Sequence, residues 1–246
     1  MSECTEDRLL GGRVLLRQPR QGLRAGLDAV LLAAGIPARP GDRVLEAGCG
    51  SGAAFLCLAA RVPGLRIVAE ERDPVLAALA RANAAANGVA ARVIEGDIRD
   101  PALAHDLGSF DHAFANPPFW PSGTAPPEVL RHAMTHATAA GAAGLRDWAS
   151  FLAAPLVRRG SLSLILPAAL LDAGMAGLAA AGCAGTRLVP FWPRAGIAAK
   201  RLLLQARRGS RGPAQVAPGL VLHAAGEGFT PAAEAVLRDA AGLAIS

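Results

Sequence analysis

The chain has 246 residues, 52% of them hydrophobic, and a formal charge of +5, which suffices for one sizeable core. Its pI near 9.8 permits a polyanionic partner, but much of the apolar content is alanine and arginine supplies all the basic charge except Lys200. Cys4, Cys49, Cys57 and Cys183 lack CxxC or Cys/His ligand spacing, no signal-peptide order opens the chain, and no uncharged apolar run reaches about 20 residues; a disulfide framework, a metal site and a membrane span are not expected, and a reducing cytoplasm is.

In chain order, "LRAGLDAVLLAA" (Leu23 to Ala34) reads as a short apolar helix capped by Asp28 and ending near Gly35 and Pro37. From residue 42 onward, short β-rich runs alternate with alanine-rich helical ones, the pattern of a mostly parallel sheet with helices on both faces. Seven strands are predicted: 43–47, 66–71, 91–95, 110–115, 161–166, 186–190 and 202–206. Helices are predicted over 53–60, 74–87, 148–157 and 168–181, the last opened by Pro167. Residues 207–218 read as an exposed Arg/Gly/Ser/Pro loop, followed by a strand-like "LVLHA" and an amphipathic run from Pro231 to Leu243. The organisation expected is one domain, 1–246, with an N-terminal extension (1–41), a catalytic core (42–206) and a C-terminal extension (207–246).

"VLEAGCGSGAA" is a strand ending in a glycine-rich turn that opens a helix. Gly48, Gly50 and Gly52 let the backbone approach a ligand, and the amides beyond them suit a polar or anionic group. The spacing departs from the dinucleotide pattern GxGxxG and places an acid, Glu46, at the strand end. A carboxylate there suits an ammonium group and repels a pyrophosphate. The next strand ends in Glu70 and Glu71, of which Glu71 is placed for two ribose hydroxyls. The third ends in "EGDI", where Asp97 can accept from an adenine amine. Three strand-end acids after a glycine turn outline an adenosine site with an amino-acid tail.

The fourth strand ends in "FANPPFW". Proline stops the strand and removes competing donors. The Asn116 side chain and the Pro117 carbonyl can then hold both hydrogens of a planar amine, Pro118 shapes the turn, and Phe119 offers a ring on which a base or amide stacks. Trp120 either stacks or packs. His132 and His136, spaced i and i+4, lack a third ligand.

The stretch from Arg43 to Asp97 resembles the S-adenosylmethionine-dependent methyltransferases of Rossmann-like class I. "NPPF" resembles their amino-group signature N/D-P-P-Y/F/W, which serves adenine N6, guanine N2, cytosine N4 or a glutamine amide. With the flanks "GGRVLLRQPRQGLRAGLDAVLLAA" and "PFWPRAGIAAKRLLLQARRGSRGP", the chain from about Leu10 to Leu243 is similar to the bacterial family that methylates adenine N6 in valine tRNA next to the anticodon. It departs in having Leu23 where an aromatic is common and Phe119 where Tyr is frequent.

The resemblance implies S-adenosyl-L-methionine as cofactor, held by Glu46, Gly48, Gly50, Gly52, Glu71, Asp97 and Asn116. Catalysis falls to Asn116, Pro117, Pro118 and Phe119. The tRNA partner is expected on Phe119, Arg24, Arg194 and Lys200, with the protein a monomer or weak homodimer. The alternatives are guanine N2 of ribosomal RNA, a protein glutamine amide, or an RNA-binding protein of the same fold without catalysis.

Overall fold

A computed structural model describes residues 4–21, 24–118 and 144–243. Its central feature follows from the alternation of strand and helix after residue 42. Strands β3 (Arg43–Ala47), β4 (Arg66–Glu71), β5 (Ala91–Glu95), β6 (Phe110–Ala115) and β7 (Leu156–Pro167) lie parallel in the order β5-β4-β3-β6-β7. Beyond β7, the antiparallel β9 (Arg201–Arg208) joins β8 (Cys183–Trp192) to the sheet. Val44, Leu45 and Ala47 are buried on both faces of β3, as a parallel strand covered by helices requires.

Helices α1 (Leu27–Gly35), α2 (Ala53–Arg61) and α3 (Pro74–Ala86) share one apolar layer with the C-terminal helix. The other face is covered by α4 (Pro101–Asp106), α5 (Leu145–Ala153) and α6 (Leu171–Ala180). Local chemistry starts them. At α3 the Asp73 carboxylate accepts from the Val75 and Leu76 amides, and Pro74 occupies the first turn where its missing N–H costs nothing.

All seven predicted strands are present, and the sheet gains two more. β10 (Gln215–Val216) and β11 (Leu220–Val221) pair in parallel with the outer edge of β8, making nine strands among the described residues. β11 falls on the strand-like "LVLHA", as the sequence leads one to expect, whereas β10 lies in the segment read as an exposed loop, its two residues too few to carry a period. The N-terminal extension contains an antiparallel hairpin absent from the sequence reading, β1 (Cys4–Leu9) with β2 (Val14–Pro19). Asp28 is not the cap of α1: Gly26 holds that position, and the Asp28 carboxylate instead receives Arg201 Nε at 2.9 Å. Pro167 ends β7, and a single 3-10 turn over Ala168–Leu170 precedes α6. Helix α5 begins three residues before the predicted 148, and Val157 belongs to β7. Thr230 caps α7 (Pro231–Arg238) by accepting from the Ala233 amide.

The neighbours β3 and β6 are the point where the strand order reverses, since the chain leaves them towards opposite edges. Open parallel sheets bind ligands in the crevice that this reversal leaves at the carboxyl edge.

Candidate active site

The register pairs Glu46 with Phe114 and Ala47 with Ala115. The glycine-rich turn after Ala47 and the Asn116-Pro117-Pro118 turn after Ala115 therefore leave adjacent strands at the same level, about 5 Å apart. Asn116 is half-buried, Pro117 buried and Pro118 exposed. Phe119, Trp120, His132 and His136 lie outside the described residues.

Each glycine of the turn has a different reason to be one. Gly48 has φ +62°, and a Cβ there would come within 2.5 Å of the Trp148 ring of α5. Gly52 has φ +95°, with the Phe55 ring 2.7 Å from its Cβ position. Gly50 has φ +56° and open space on the side where a Cβ would stand. The turn is thus wedged at both ends and open in the middle, which puts a ligand's approach over Gly50.

Two adjacent acids of β4 hold this turn by its amides. Gly48 N–H donates to Glu70 Oε2 at 3.1 Å, and Gly50 N–H to Glu71 Oε2 at 2.8 Å. Glu71 Oε1 accepts from the Asp73 amide at 2.9 Å. Glu46, 3% exposed, accepts from the Phe55 amide at 2.9 Å. The sequence assigns Glu46 and Glu71 to the ligand; the fold uses part of their acceptor capacity on its own backbone. Each carboxylate oxygen has two acceptor directions, so the capacity to bind hydroxyls or an ammonium is reduced, not removed.

Burial pushes the Glu46 carboxyl well above the usual carboxylate range, against the Phe55 amide and with Glu71 adding to the rise. Burial likewise pushes Glu70 up to about 8, opposed by the Gly48 amide and Arg72 and reinforced by Glu71 and Asp97. Such a crowd of acids suits a ligand that brings positive charge. Asp97 differs: Arg99 grips it through Nε at 3.0 Å and Nη2 at 2.6 Å, holding its carboxyl down at about 2. An adenine amine at Asp97 would share that carboxylate with a guanidinium.

No role for Glu70 follows from the sequence, although it is 1% exposed and holds the turn. Nor does one follow for Trp148, for which no local signal exists. The expected RNA cations are partly committed. Arg24 pairs with Asp7 at 2.7 Å and donates to Thr5 and Pro19. Arg194 donates to the carbonyls of Ala224 and Gly226. Lys200 is exposed in the loop between β8 and β9, at the carboxyl edge.

The sequence matches the methyltransferase small domain family over residues 25–144. It is 30% identical over 214 residues to the tRNA1(Val) (adenine(37)-N6)-methyltransferase of Aeromonas salmonicida, covering 86% of this chain and 87% of that one. The chain belongs to the bacterial tRNA1(Val) adenine-N6-methyltransferase family. The enzyme of that name from Porphyromonas gingivalis (strain ATCC 33277) is 37% identical over 153 residues, a match that spans 59% of either chain. Among solved structures, a predicted O-methyltransferase from Agrobacterium tumefaciens superposes with a TM-score of 0.70 at 26% identity, covering 88% of this chain and 98% of that one. The fold is that of the class I S-adenosylmethionine-dependent methyltransferases. The acid-rich turn fits that cofactor: the open face at Gly50 admits it, and the buried carboxylates complement its cationic groups. No helix among the described residues is long and apolar enough to cross a membrane.

Proposed function

We propose that this family member transfers a methyl group from S-adenosylmethionine to N6 of the adenine next to the anticodon of tRNA(Val), in the cytoplasm. The observation that carries the reading is the register of β3 and β6, which sets the glycine turn and Asn116 side by side at the topological switch. The cofactor supplies an electrophilic methyl group on a sulfonium sulfur. The Gly50 face of the turn, Glu46 and Glu71 hold it, with Asp97 towards the adenine ring.

Asn116 Oδ1 and the Pro117 carbonyl accept from the two amine hydrogens of the target base. Drawing on both protons favours a pyramidal nitrogen whose lone pair is free to attack. The proton that the amine nitrogen loses on methylation would pass to solvent, while Asn116 and Pro117 keep the nitrogen in line with the methyl group the bound cofactor would supply. Holding the amine in line is the residues' main contribution. Phe119 stacks the base, which an exposed anticodon loop presents at little unstacking cost. At the carboxyl edge Lys200 meets the phosphates, and Arg194 shapes the wall by holding the segment around Ala224 to Gly226.

Asn116→Ala should leave the affinity for S-adenosylhomocysteine within about twofold while lowering single-turnover methylation by roughly a hundredfold or more. Calorimetry and a tritium-transfer assay on a tRNA(Val) transcript read the two quantities. Near wild-type turnover refutes the amine clamp. Mass spectrometry of tRNA(Val) nucleosides from cells lacking the gene decides the substrate: unchanged N6-methyladenosine overturns it, and a methyl group missing from guanine N2 or from a glutamine amide reassigns it.

A further inference from the structure

The glycine turn is also held from a side that neither the motif nor the acids account for. Gly52 is the N-cap of α2 and its carbonyl accepts the first helical bond, from Leu56, so Ser51 lies outside the helix and the Phe55 amide has no helical acceptor. That amide donates to Glu46 Oε2, and the Ser51 carbonyl accepts from Asn83 Nδ2 at 2.8 Å. Asn83 is 1% exposed on α3, so a buried side chain from another helix serves the carbonyl just ahead of the α2 cap. One turn earlier on the same helix, the Ala80 Cβ lies 3.5 Å from where a Cβ on Gly52 would stand. The inner face of α3 is therefore laid on the turn at Ser51 and Gly52.

The same amide reaches the N-terminal hairpin. Asn83 Oδ1 accepts from the Arg17 amide at 3.0 Å, and Nδ2 donates to the Arg17 carbonyl at 2.7 Å. Asn87 repeats the pattern at Leu15, accepting at 2.8 Å and donating at 2.7 Å. Four residues of helix rise about 6 Å and two residues of strand about 6.6 Å, so two asparagines spaced i and i+4 serve the edge of β2 as a neighbouring strand would. The two differ in their second bond: Asn83 Nδ2 donates to the Ser51 carbonyl of the glycine turn, and Asn87 Nδ2 at 2.8 Å to the Asn83 carbonyl on its own helix.

We propose that Asn83 is a positioning residue for the cofactor, fixing the Ser51 carbonyl and thereby the Gly50–Gly52 peptide planes against β2. This rests on the reading that the glycine turn binds S-adenosylmethionine. Without the Asn83 donor, the Ser51 carbonyl is a buried acceptor just outside α2 that no helical amide serves. It must turn towards its own amide or towards the ligand, and either movement spoils the open face at Gly50.

Asn83→Ala and Asn87→Ala both remove a clasp on β2, and both lower the melting temperature. Only Asn83→Ala should raise the dissociation constant for S-adenosylhomocysteine, by about tenfold, and the KM for S-adenosylmethionine with it, leaving kcat within about twofold. Asn87→Ala should bind within twofold of wild type. Asn83→Asp keeps the shape and the Arg17 acceptor but has no donor for Ser51; it should bind as weakly as Asn83→Ala and serves if the alanine variant does not fold. Equal affinities in the Asn83 and Asn87 variants overturn the assignment and leave Asn83 a stability residue. A wild-type protein that fails to bind S-adenosylhomocysteine overturns the underlying reading instead.

Discussion

Glu70 holds Gly48 while surrounded by like charge, and this sets a pH dependence with a definite sign. Burial keeps its proton on up to about pH 8 in the folded protein, whereas the ordinary value is 4.5. Between those values the native state binds more protons than the unfolded chain, so stability falls as pH rises. The contribution is complete below 4.5 and lost as pH passes through about 8. His112 works the other way. Its ring bonds Ser161 Oγ at 2.7 Å and Asp42 at 3.1 Å, and burial holds it below 6.5 despite Asp42. Stability from His112 is present above 6.5 and lost on acidification through its lowered value. The array has the members of a hydrolytic triad, but Ser161 is fully buried near the amino-terminal edge of the sheet and is no nucleophile. Glu70→Gln keeps the size and removes one titration. Thermal melts across about pH 5 to 8 should show a smaller fall for the variant than for wild type; parallel curves refute the assignment.

At the scale of elements, helix α3 links Glu71 to the glycine turn. It starts where the Asp73 amide meets Glu71 and ends its contact at Asn83. Removing its cap in Asp73→Ala should cost about 1 kcal/mol in urea unfolding, and Asp73→Asn, which still accepts, only a few tenths. Equal losses would mean the Asp73 charge and not the cap matters. This helix and the seven core strands were legible because each carries its own period and its own stop: a Pro, a Gly or a strand-end acid. The hairpin was not, since "CTEDRL" has no apolar face and Leu15 interrupts the alternation of Val14 and Leu16. In the site, the sequence singles out Glu46, the glycines and Glu71 as strand-end and turn residues, and the fold gathers them at the carboxyl edge beside Asn116. What the acids bond to was hidden, because Glu70 reaching Gly48 and Trp148 covering it depend on packing between strands and a distant helix.

Over the whole molecule, the +5 charge overstates the free positive surface. Arg13, Arg61, Arg194 and Arg208 all donate to backbone carbonyls, some from opposite ends of the chain. The termini close on each other in this way: Arg13 bonds the Arg238 carbonyl, and the Leu243 amide donates to Ala34 at 2.9 Å on the end of α1. Leu10 and Val236 are buried in the same core layer as α1 and α2. If the extensions fold as one unit with the core, a defect at their contact must lower the single unfolding transition. Gly11 tests this: its φ is +62°, and a Cβ would come within 2.9 Å of the Arg238 carbonyl oxygen. Gly11→Ala should cost roughly 1–3 kcal/mol, lowering the melting temperature by about 2–4 °C for each kcal/mol in a chain of this length. Calorimetry should still record one transition, shifted down. A separate low-temperature transition with the main one unmoved would show instead that the ends melt away from a core stable without them.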